Sequence, residues 1–598
     1  MSGGRGIIPT TAVNHARRVR LRQATAPWPA LAVAALLGLA AGCGAPRPPE
    51  ADLVLRNAKV CTMDPAQPWA EAVAVRDGRI LSTGKEADIL RSVSQRTRVL
   101  DVGGRLVLPG FIDSHNHITF GSDPDVVQLS DVRTPKQLYE RVRHVAASRP
   151  ETDWIEGEGW NYSVFPGGNL PTWRDLEGVA GDRPVFLVSY DVHTVWLNRA
   201  ALKTLGINRK TGLLQYGEVD KDPRSGEPTG ILLSFATMGL SKEGQEILRK
   251  ILPSWSMGRR YARLKRNLDL ASRFGITTIV EPQAFLDDLT LFSRARQDEV
   301  LRSRLQIALF HPRGTSEAEL ERFDEARRQF NDDRLRVSAV KLYIDDVVEP
   351  HTAALLEPYS DLPGIRGETL YAPDEFKAVV TRIDRMKFQM FIHAIGDRGI
   401  RVALDALQYA REQNGPRDSR HELVHIECLS PLDIPRFKAL GVIACMQPRH
   451  CAPDITEKWA MNIGPERSRY AWAFRSLRDA GATLAFASDW NVTDMNPLVG
   501  IYTALTRKGL DGRPPGGWIP DQTIDLETAL RAYTIQGAFA NFTEGNRGSV
   551  AVGKYADLIV LSDNLFELPP DKVRDARVLL TLVGGEEVYR SPDLRLTP

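Results

Sequence analysis

Eight short apolar segments recur between residues 108 and 487, and helical stretches such as 259–274 and 373–386 separate most of them. Apolar strands that alternate with helices predict an α/β fold with a parallel sheet. Eight such units predict a (β/α)8 TIM barrel. The predicted strands are 108–114, 276–280, 305–310, 337–344, 388–392, 423–426, 442–446 and 483–487.

Two further parts of the chain do not follow the barrel pattern. The gap after the first strand is too long for a loop, so we expect residues 119–256 to form an inserted subdomain after strand 1. Both ends of the chain beyond residue 50 are rich in β pattern. We expect residues 51–107 and 541–598 to form one small composite β-sandwich, which leaves 108–540 for the barrel. The strand-like segments behind this expectation are 53–60, 72–80, 98–108, 548–553, 556–561 and 578–583.

The N-terminal segment has the pattern of an export signal. Residues 1–42 contain five arginines and no acidic residue, and the apolar run 30–41 precedes small residues. This order predicts a secretory signal peptide over 1–42. The twelve-residue run is too short to cross a bilayer as a helix. Residues 39–43 resemble a bacterial lipobox, in which Cys43 is lipidated, and an ordinary cleaved signal peptide is the alternative.

The expected location follows from this signal. Residues 43–50 are Pro-rich and predict a short, extended tether. We expect an exported protein, a periplasm-facing lipoprotein of the cell envelope. Its contact with the membrane would be a lipid anchor on Cys43.

The charge balance limits the partners. The chain carries 77 Lys and Arg against 75 Asp and Glu, and from Cys43 onward 72 basic residues face 75 acidic ones, a net charge of −3. This balance excludes a strongly basic nucleic-acid binder, so we expect no nucleic-acid partner. Five cysteines without a CxxC pair exclude a disulfide scaffold.

Histidine, lysine and aspartate side chains lie at the predicted strand ends, where barrels carry their active sites. His115 and His117 end the first strand, and side chains two apart on an extended segment share a face, so both imidazoles can bind one metal ion. A single histidine is more often a core or surface residue. The combination with further strand-end residues nevertheless predicts a metal site. The further candidates are Lys341, His393, His425 and Asp489.

Several motifs resemble family 3 of the amidohydrolase superfamily, the branch of the YtcJ-like metal-dependent hydrolases. The resemblance covers about residues 51–590, and it implies a TIM barrel with a sheet domain built from both chain ends. The motifs are LPGFIDSHNH at 108–117, DVHTVWLNRAAL at 191–202, VKLYID at 340–345, IHAIGD at 392–397, MQPRH at 446–450 and ASDW at 487–490.

The resemblance implies a centre for one or two divalent metal ions. Two histidine pairs would each hold an ion, and a carboxylated Lys341 would bridge them. Asp489 would act as general base towards the activated water and then as acid towards the leaving nitrogen. Zinc is the default for a histidine-rich site, and Mn, Fe or Co also fit. The implied metal ligands are His115, His117, Lys341, His393, His425 and Asp489.

Four residues outside this set are candidates for the substrate side. His193 would line the substrate mouth and donate to the oxyanion, and the alternative is a structural histidine beside Trp196. His450 would also face the substrate, unless it is a loop histidine at the rim. Trp160 and Trp196 would receive an apolar substituent, unless these aromatic rings form the core of the insertion.

Three positions depart from the family pattern. Asp346 stands where glycine is common, Ser234 stands where glutamate is often found, and Asp191 stands where glycine usually precedes the histidine. All three lie where the substrate would sit.

The expected function is hydrolysis of a non-peptide carbon–nitrogen bond in a small-molecule amide or N-substituted formamide. A dipeptidase or a cyclic-amide hydrolase of the same superfamily is one alternative. A non-catalytic envelope barrel that binds a ligand is the other. The sequence is also compatible with a homo-oligomer.

Overall fold

The protein is described by a computed structural model that covers residues 49–121, 123–149, 154–166, 169–212, 218–235 and 252–594, together with residue 248. The signal peptide predicted at 1–42, the lipidation of Cys43 and tether residues 43–48 lie outside the described residues. Within the described ranges, no helix combines the length and apolarity that crossing a membrane requires.

All eight predicted barrel strands are present, and we number them β1 to β8 in chain order. Each strand pairs with the next in one sheet, and all these pairings are parallel. The Ser114 amide donates to the Phe486 carbonyl at 3.2 Å, which joins β8 to β1. The predicted α/β barrel is therefore confirmed. The strands are Phe111–Asp113 (β1), Ile276–Ala284 (β2), Arg304–Phe310 (β3), Leu335–Tyr343 (β4), Gln389–Ala394 (β5), Glu422–His425 (β6), Ile443–Met446 (β7) and Leu484–Phe486 (β8).

The first predicted strand, 108–114, is divided at Gly110. Its first two residues end the strand Arg98–Pro109 of another sheet, and β1 begins at Phe111. A Cβ atom on Gly110 would lie only 2.2 Å from Cγ2 of Thr277. Because residue 110 is a glycine, its backbone can lie close to Thr277 of β2.

Amphipathic helices cover the barrel. In Met257–Arg273 the buried apolar residues recur at helical spacing, and the Ser256 side chain caps its first turn by accepting from the Arg259 amide. The helices are Glu86–Ile89, Pro135–Ala147, Arg199–Thr204, Met257–Arg273, Leu289–Gln297, Glu317–Gln329, Pro373–Arg385, Asp397–Asn414, Ile434–Leu440, Glu457–Ile463, Pro465–Ser468, Phe474–Asp479, Pro497–Thr506, Leu526–Ala532 and Ile535–Ala540.

Strands from both chain ends share one eight-stranded sheet. Arg98–Pro109 joins the two ends, because it pairs with Leu53–Cys61 on one side and with Leu558–Leu561 on the other. The two-layered sandwich and the domain bounds at 107 and 541 stay predictions, since Pro49–Pro598 form one compact unit. The remaining strands of the sheet are Trp69–Ala70, Ala72–Arg76, Arg79–Gly84, Val578–Val583 and Glu586–Arg590.

The strand predicted at 548–553 is wrong. This segment has no strand, because Gly548 and Gly553 adopt left-handed φ angles of 82° and 86° that turn the chain. It still contacts the sheet, because the Gly553 amide donates to the Ile80 carbonyl and the Arg79 side chain donates to the Gly553 carbonyl, both at 2.8 Å.

A separate six-stranded sheet lies in the sequence between β1 and β2. It has a core of its own, in which Trp160, Leu187, Trp196 and Ile231 are buried. This sheet occupies the region where an insertion is expected, and the bounds 119–256 stay a prediction. Its strands are Val127–Gln128, Ile155–Trp160, Val185–Ser189, Val195–Leu197, Glu218–Lys221 and Pro228–Leu233.

Candidate metal centre

The six side chains predicted as metal ligands converge at the carboxyl end of the barrel. Lys341, His393 and His425 lie on β4, β5 and β6. The other three follow the ends of β1 and β8. His425 and Asp489 adopt left-handed φ angles of 80° and 53°, a conformation that costs energy in residues other than glycine and recurs at functional sites.

Asp489 lies at the middle of this cluster. Its Oδ1 is 3.5 Å from Nε2 of His115 and 3.3 Å from Nε2 of His117. Its Oδ2 is 3.7 Å from Nδ1 of His425 and 3.5 Å from Nε2 of His450. Burial alone would raise the pKa of Asp489, but the His117 ring close to Oδ1 and the other surrounding imidazoles hold it well below its ordinary value. The carboxylate is therefore ionised at neutral pH.

The donor atoms form two groups that share Asp489, and within each group they lie within 4.8 Å of one another. One group adds His115 and His117, and the other adds His425 and His450. Many of the buried polar atoms around them have no hydrogen-bond partner, which is rare in protein interiors. These nitrogen and oxygen donors fit a divalent metal ion such as zinc. The unpaired atoms include both ring nitrogens of His115 and His393, Nζ of Lys341, Nε2 of His450 and Oδ1 of Asp489.

Burial sets the protonation of these donors. It lowers the pKa values of His115, His393 and His425 well below the ordinary value, so their rings are neutral at pH 7. Neutral imidazole is the form that binds metal. Burial also lowers the pKa of Lys341 to about 8.

The sequence predicts that His450 faces the substrate, and the structure places its ring among the donors around Asp489. It lies in the turn Pro448–Cys451 after β7. Its ring stacks on that of His425, with the centroids 6.1 Å apart. The signal that could have found it is its place after a strand end, where the other ligand candidates also lie.

Three carboxylates approach the outer nitrogens of these histidines, and carboxylates in such positions orient metal-binding rings. Asp345, directly after β4, is 3.6 Å from Nδ1 of His393. It accepts backbone hydrogen bonds from Ile395 at 3.0 Å and Gly396 at 2.8 Å. Burial raises its pKa to about 8. The other two pairs are Glu281 with His117 at 3.8 Å and Glu427 with His450 at 3.6 Å.

His193 reaches the centre from the six-stranded sheet region. Its ring centroid is 5.5 Å from that of His393, and its Nδ1 is hydrogen-bonded to Oδ1 of Asp346. The other oxygen of Asp346 accepts from Ser234 at 2.6 Å and from Thr352 at 2.7 Å. Burial alone would lower the pKa of His193, but the Asp346 carboxylate outweighs it and raises the pKa. Asp346 and Ser234, two of the three positions that depart from the family pattern, are therefore hydrogen-bonded to each other.

Trp160 and Trp196 lie elsewhere. Both are fully buried in the core of the six-stranded sheet region, with ring centroids 6.1 Å apart. Among the described residues, neither lines the two cavities next to the metal centre. This placement favours the alternative that these rings form the insertion's own core.

The two cavities differ in size and lining. A small one, about 40 Å³, lies within the metal centre, because His393, His425 and Asp489 line it. Its other polar lining consists of His193, His450, Asp191, Glu349 and Glu427. A larger one, about 120 Å³, borders His117 and is mostly apolar. Its aromatic lining consists of Phe120, Phe186, Phe235, Trp255, Phe285 and Phe310.

A parallel eight-stranded barrel with metal donors at its carboxyl end is the arrangement expected of a metal-dependent hydrolase. Residues 98–589 match the amidohydrolase family, and the chain therefore belongs to it. The predicted family is confirmed. The protein is accordingly a hydrolase that acts on carbon–nitrogen bonds, which favours catalysis over the non-catalytic envelope barrel.

Several known proteins are similar over most of the chain. Protein LONG AFTER FAR-RED 3 of Arabidopsis thaliana is 32% identical over 549 residues, 90% of this chain and 92% of the relative. YtcJ of Bacillus subtilis is 27% identical over 87% of this chain and 96% of its own length. N-substituted formamide deformylase of Arthrobacter pascens is 28% identical over 89% and 97%. A crystal structure of an uncharacterized metal-dependent hydrolase from Pyrococcus furiosus shares the fold, with a TM-score of 0.64, 24% identity and coverage of 87% of this chain and all of that one.

Proposed function

We propose that this protein hydrolyses the carbon–nitrogen bond of an amide or an N-substituted formamide at a divalent-metal centre. The observation that carries the proposal is the ring of buried, unpaired nitrogen and oxygen donors around Asp489. The formamide type is supported by the similarity to the deformylase of A. pascens, at 28% identity.

The proposed ligands fall into two sets. His115, His117 and Asp489 would hold one ion, zinc being the default metal. His393 and His425 would hold a second ion, and a carbamate on Lys341 would bridge the two. Because burial lowers the pKa of Lys341 to about 8, part of the amine is neutral at pH 7. The neutral nitrogen can add to the carbon of CO2 and lose a proton.

A divalent ion in this place supplies a Lewis acid for the amide carbonyl and lowers the pKa of a bound water. Asp489 would accept the proton of the attacking water, because its depressed pKa keeps it ionised. It would then deliver that proton to the leaving nitrogen, as general base followed by general acid.

His193 would donate a hydrogen bond to the oxygen that gains charge in the transition state. Such donors act best when they are held in place beforehand. Asp346 holds one nitrogen of the His193 ring, which leaves the other nitrogen, Nε2, for the substrate.

The two cavities indicate the shape of the substrate. The apolar cavity of about 120 Å³ beside His117 suits one ring-sized apolar substituent, since an engineered apolar cavity of about 150 Å³ binds benzene. The cavity of about 40 Å³ is lined by the candidate ligands His393, His425 and Asp489, so it leaves room only for a small group beside the metal ions. A formamide has this asymmetry when its nitrogen carries the large substituent.

A dipeptidase would need a cation for the substrate carboxylate. Arg449, which directly precedes His450, is one candidate for this cation. Both of its terminal nitrogens donate to the Asp454 carboxylate, at 2.7 and 2.5 Å. Arg398 donates to the Gly367 carbonyl. Both cations have protein partners, which favours a non-peptide substrate.

The proposed location remains the cell envelope. An export signal over 1–42 with a lipid anchor on Cys43 is supported by the sequence pattern of these residues.

The test measures metal content by mass spectrometry, together with activity on a panel of amides and formamides. The purified protein is compared with Lys341→Ala and with Lys377→Ala, which removes a partly exposed lysine from the helix Pro373–Arg385, outside the metal centre. We expect about two metal ions per chain in the parent protein and in Lys377→Ala, and fewer in Lys341→Ala. We also expect release of amine from an N-substituted formamide.

Other results would change the proposal in defined ways. About one ion per chain that does not depend on Lys341 would remove the carbamate bridge and keep the hydrolase. A protein that binds no metal after reconstitution with bicarbonate would contradict the metal-dependent mechanism.

A further inference from the structure

A second polar cavity lies at the opposite end of the barrel from Asp489. Its volume is about 330 Å³. Thr278, Gln306 and Arg336 line it from the amino-terminal parts of β2, β3 and β4, and Arg547 closes it from the segment after the last barrel helix. The residues of the metal centre do not reach this cavity.

Three buried donor groups of the residues that line this cavity have no hydrogen-bond partner in the described part of the chain. They are Oγ1 of Thr278, Nε2 of Gln306 and Nε of Arg547, and these residues are 2%, 4% and 7% exposed. The Gln306 amide nitrogen and the Arg547 Nε can only donate hydrogen bonds. Unpartnered donors on residues that line one cavity point to a ligand that accepts hydrogen bonds.

The charged residues at the cavity also favour a ligand that accepts hydrogen bonds. Arg547 has an ion pair with Asp333 at 3.9 Å, and that aspartate side chain is 55% exposed. Arg336 has neither an ion pair nor a side-chain hydrogen bond within the described residues. Burial and the nearby Arg304 lower the pKa of Arg547 to about 10, so it stays cationic at pH 7. Asp332 also lines the cavity and forms an ion pair with Arg296. Arg336 is therefore the lining cation that has no counter-ion within the described residues.

We propose that this cavity binds a small oxyanion, with Arg336 and Arg547 as the cations and Thr278 and Gln306 as the neutral donors. Guanidinium groups bind phosphate and carboxylate oxygens with strong, charge-assisted hydrogen bonds. The ligand is thus a phosphate or carboxylate group, and its site is separate from the proposed hydrolytic centre.

The test titrates the metal-loaded protein with inorganic phosphate, and in a second arm with acetate, at constant ionic strength. Calorimetry and the midpoint of thermal unfolding report binding, because a ligand of the folded state raises that midpoint. The variants are Gln306→Met, which removes the unpaired donor at similar length, and Arg336→Gln. Arg469→Gln is the control, since Arg469 is 73% exposed and lies outside the cavity lining.

We expect saturable binding of one of the two anions in the parent protein and the control. The affinity should fall about tenfold or more in Gln306→Met and Arg336→Gln, and the rise in the unfolding midpoint should disappear. Amide hydrolysis should persist in Gln306→Met. The anion that saturates the site identifies its chemistry as phosphate or carboxylate.

Phosphate can also bind at the metal centre, and the variants separate the two sites. Equal affinity in the parent protein and Gln306→Met would overturn the proposal, because any binding then lies elsewhere. Absence of saturable binding for both anions would overturn it as well. Gln306→Met decides the question if Arg336→Gln fails to fold.

Discussion

Buried polar atoms without a partner in the described part of the chain occur at the metal centre and at the amino-end cavity, but the two sets differ in kind. At the carboxyl end, neutral imidazoles and the Asp489 carboxylate offer lone pairs. At the amino end, Thr278, Gln306 and Arg547 offer N–H and O–H groups. The first set suits a cation and the second suits an anion. The kind of unpaired atom therefore indicates the ligand of each site better than cavity volume does. The larger cavity lies at the end away from the proposed catalytic residues.

The largest expected effect concerns the carboxyl end. Asp489→Asn removes the proposed general base, and such groups contribute about 10²–10⁴-fold to rate. We expect kcat/KM on the best formamide substrate to fall by this amount while the protein stays folded. The control is Asp494→Asn, an exposed aspartate that accepts from the Asn496 amide at 2.8 Å. A loss of less than about tenfold would contradict the role of Asp489.

A charged network with all partners in place provides a contrast within the amino end. Asp384, in the helix before β5, accepts from Arg417 at 2.7 Å and from Asn414 at 2.8 Å, and its Oδ1 is 3.2 Å from Nε2 of His421. Burial alone would raise the pKa of Asp384, but these hydrogen bonds hold it well below its ordinary value. The ionised carboxylate therefore stabilises the fold.

We expect Asp384→Asn to lower the free energy of unfolding by about 2 kcal/mol at pH 7. A depressed folded-state pKa gives stability that is complete above the unfolded pKa, near 3.9, and is lost as the pH falls through the folded value. The difference between parent and variant in chemical denaturation should therefore shrink below about pH 4. Asp374→Asn, in the same helix and 95% exposed, should change stability by less than about 0.5 kcal/mol. A pH-independent difference would show that the charge of Asp384 is not the cause.

The sequence predicts the barrel well, and it also predicts that the candidate ligand side chains meet at its carboxyl end, because both depend on local signals. Buried parallel strands are continuous apolar runs, and the candidate ligands lie at or directly after their carboxyl ends, as His393 does near the end of β5. Contacts between segments that are distant in the sequence cannot be predicted in this way. Nothing in the local pattern shows that Asp346 meets His193 across 153 positions, or that His450 stacks on His425. The amino-end cavity likewise depends on packing between β3 and the segment around Arg547.

A smaller effect on activity is expected at the contact between His193 and Asp346. Asp346→Asn removes the charge that raises the pKa of His193, so burial then lowers that pKa. We expect kcat to fall by about 10–100-fold, as for other partners that orient catalytic rings. Metal content should not change. If protonated His193 is the active form, the alkaline limb of the pH–rate profile moves to lower pH, and an unchanged profile would exclude that form.

The smallest effect tests whether the amino-end donors are unpaired when no anion is bound. Thr278→Val removes a buried hydroxyl that has no partner, so we expect the free energy of unfolding in anion-free buffer to stay within about 1 kcal/mol of the parent or to rise. The matched control is Thr581→Val, because that buried hydroxyl donates to the Ser272 carbonyl at 2.8 Å. The control should lose about 1 kcal/mol, since it removes a buried hydrogen bond while the Ser272 carbonyl still accepts from the Gly275 amide at 3.2 Å. Equal losses in both variants, measured by urea denaturation, would mean that Thr278 has a partner in the free protein, and the contrast between the two barrel ends would then fail at this residue.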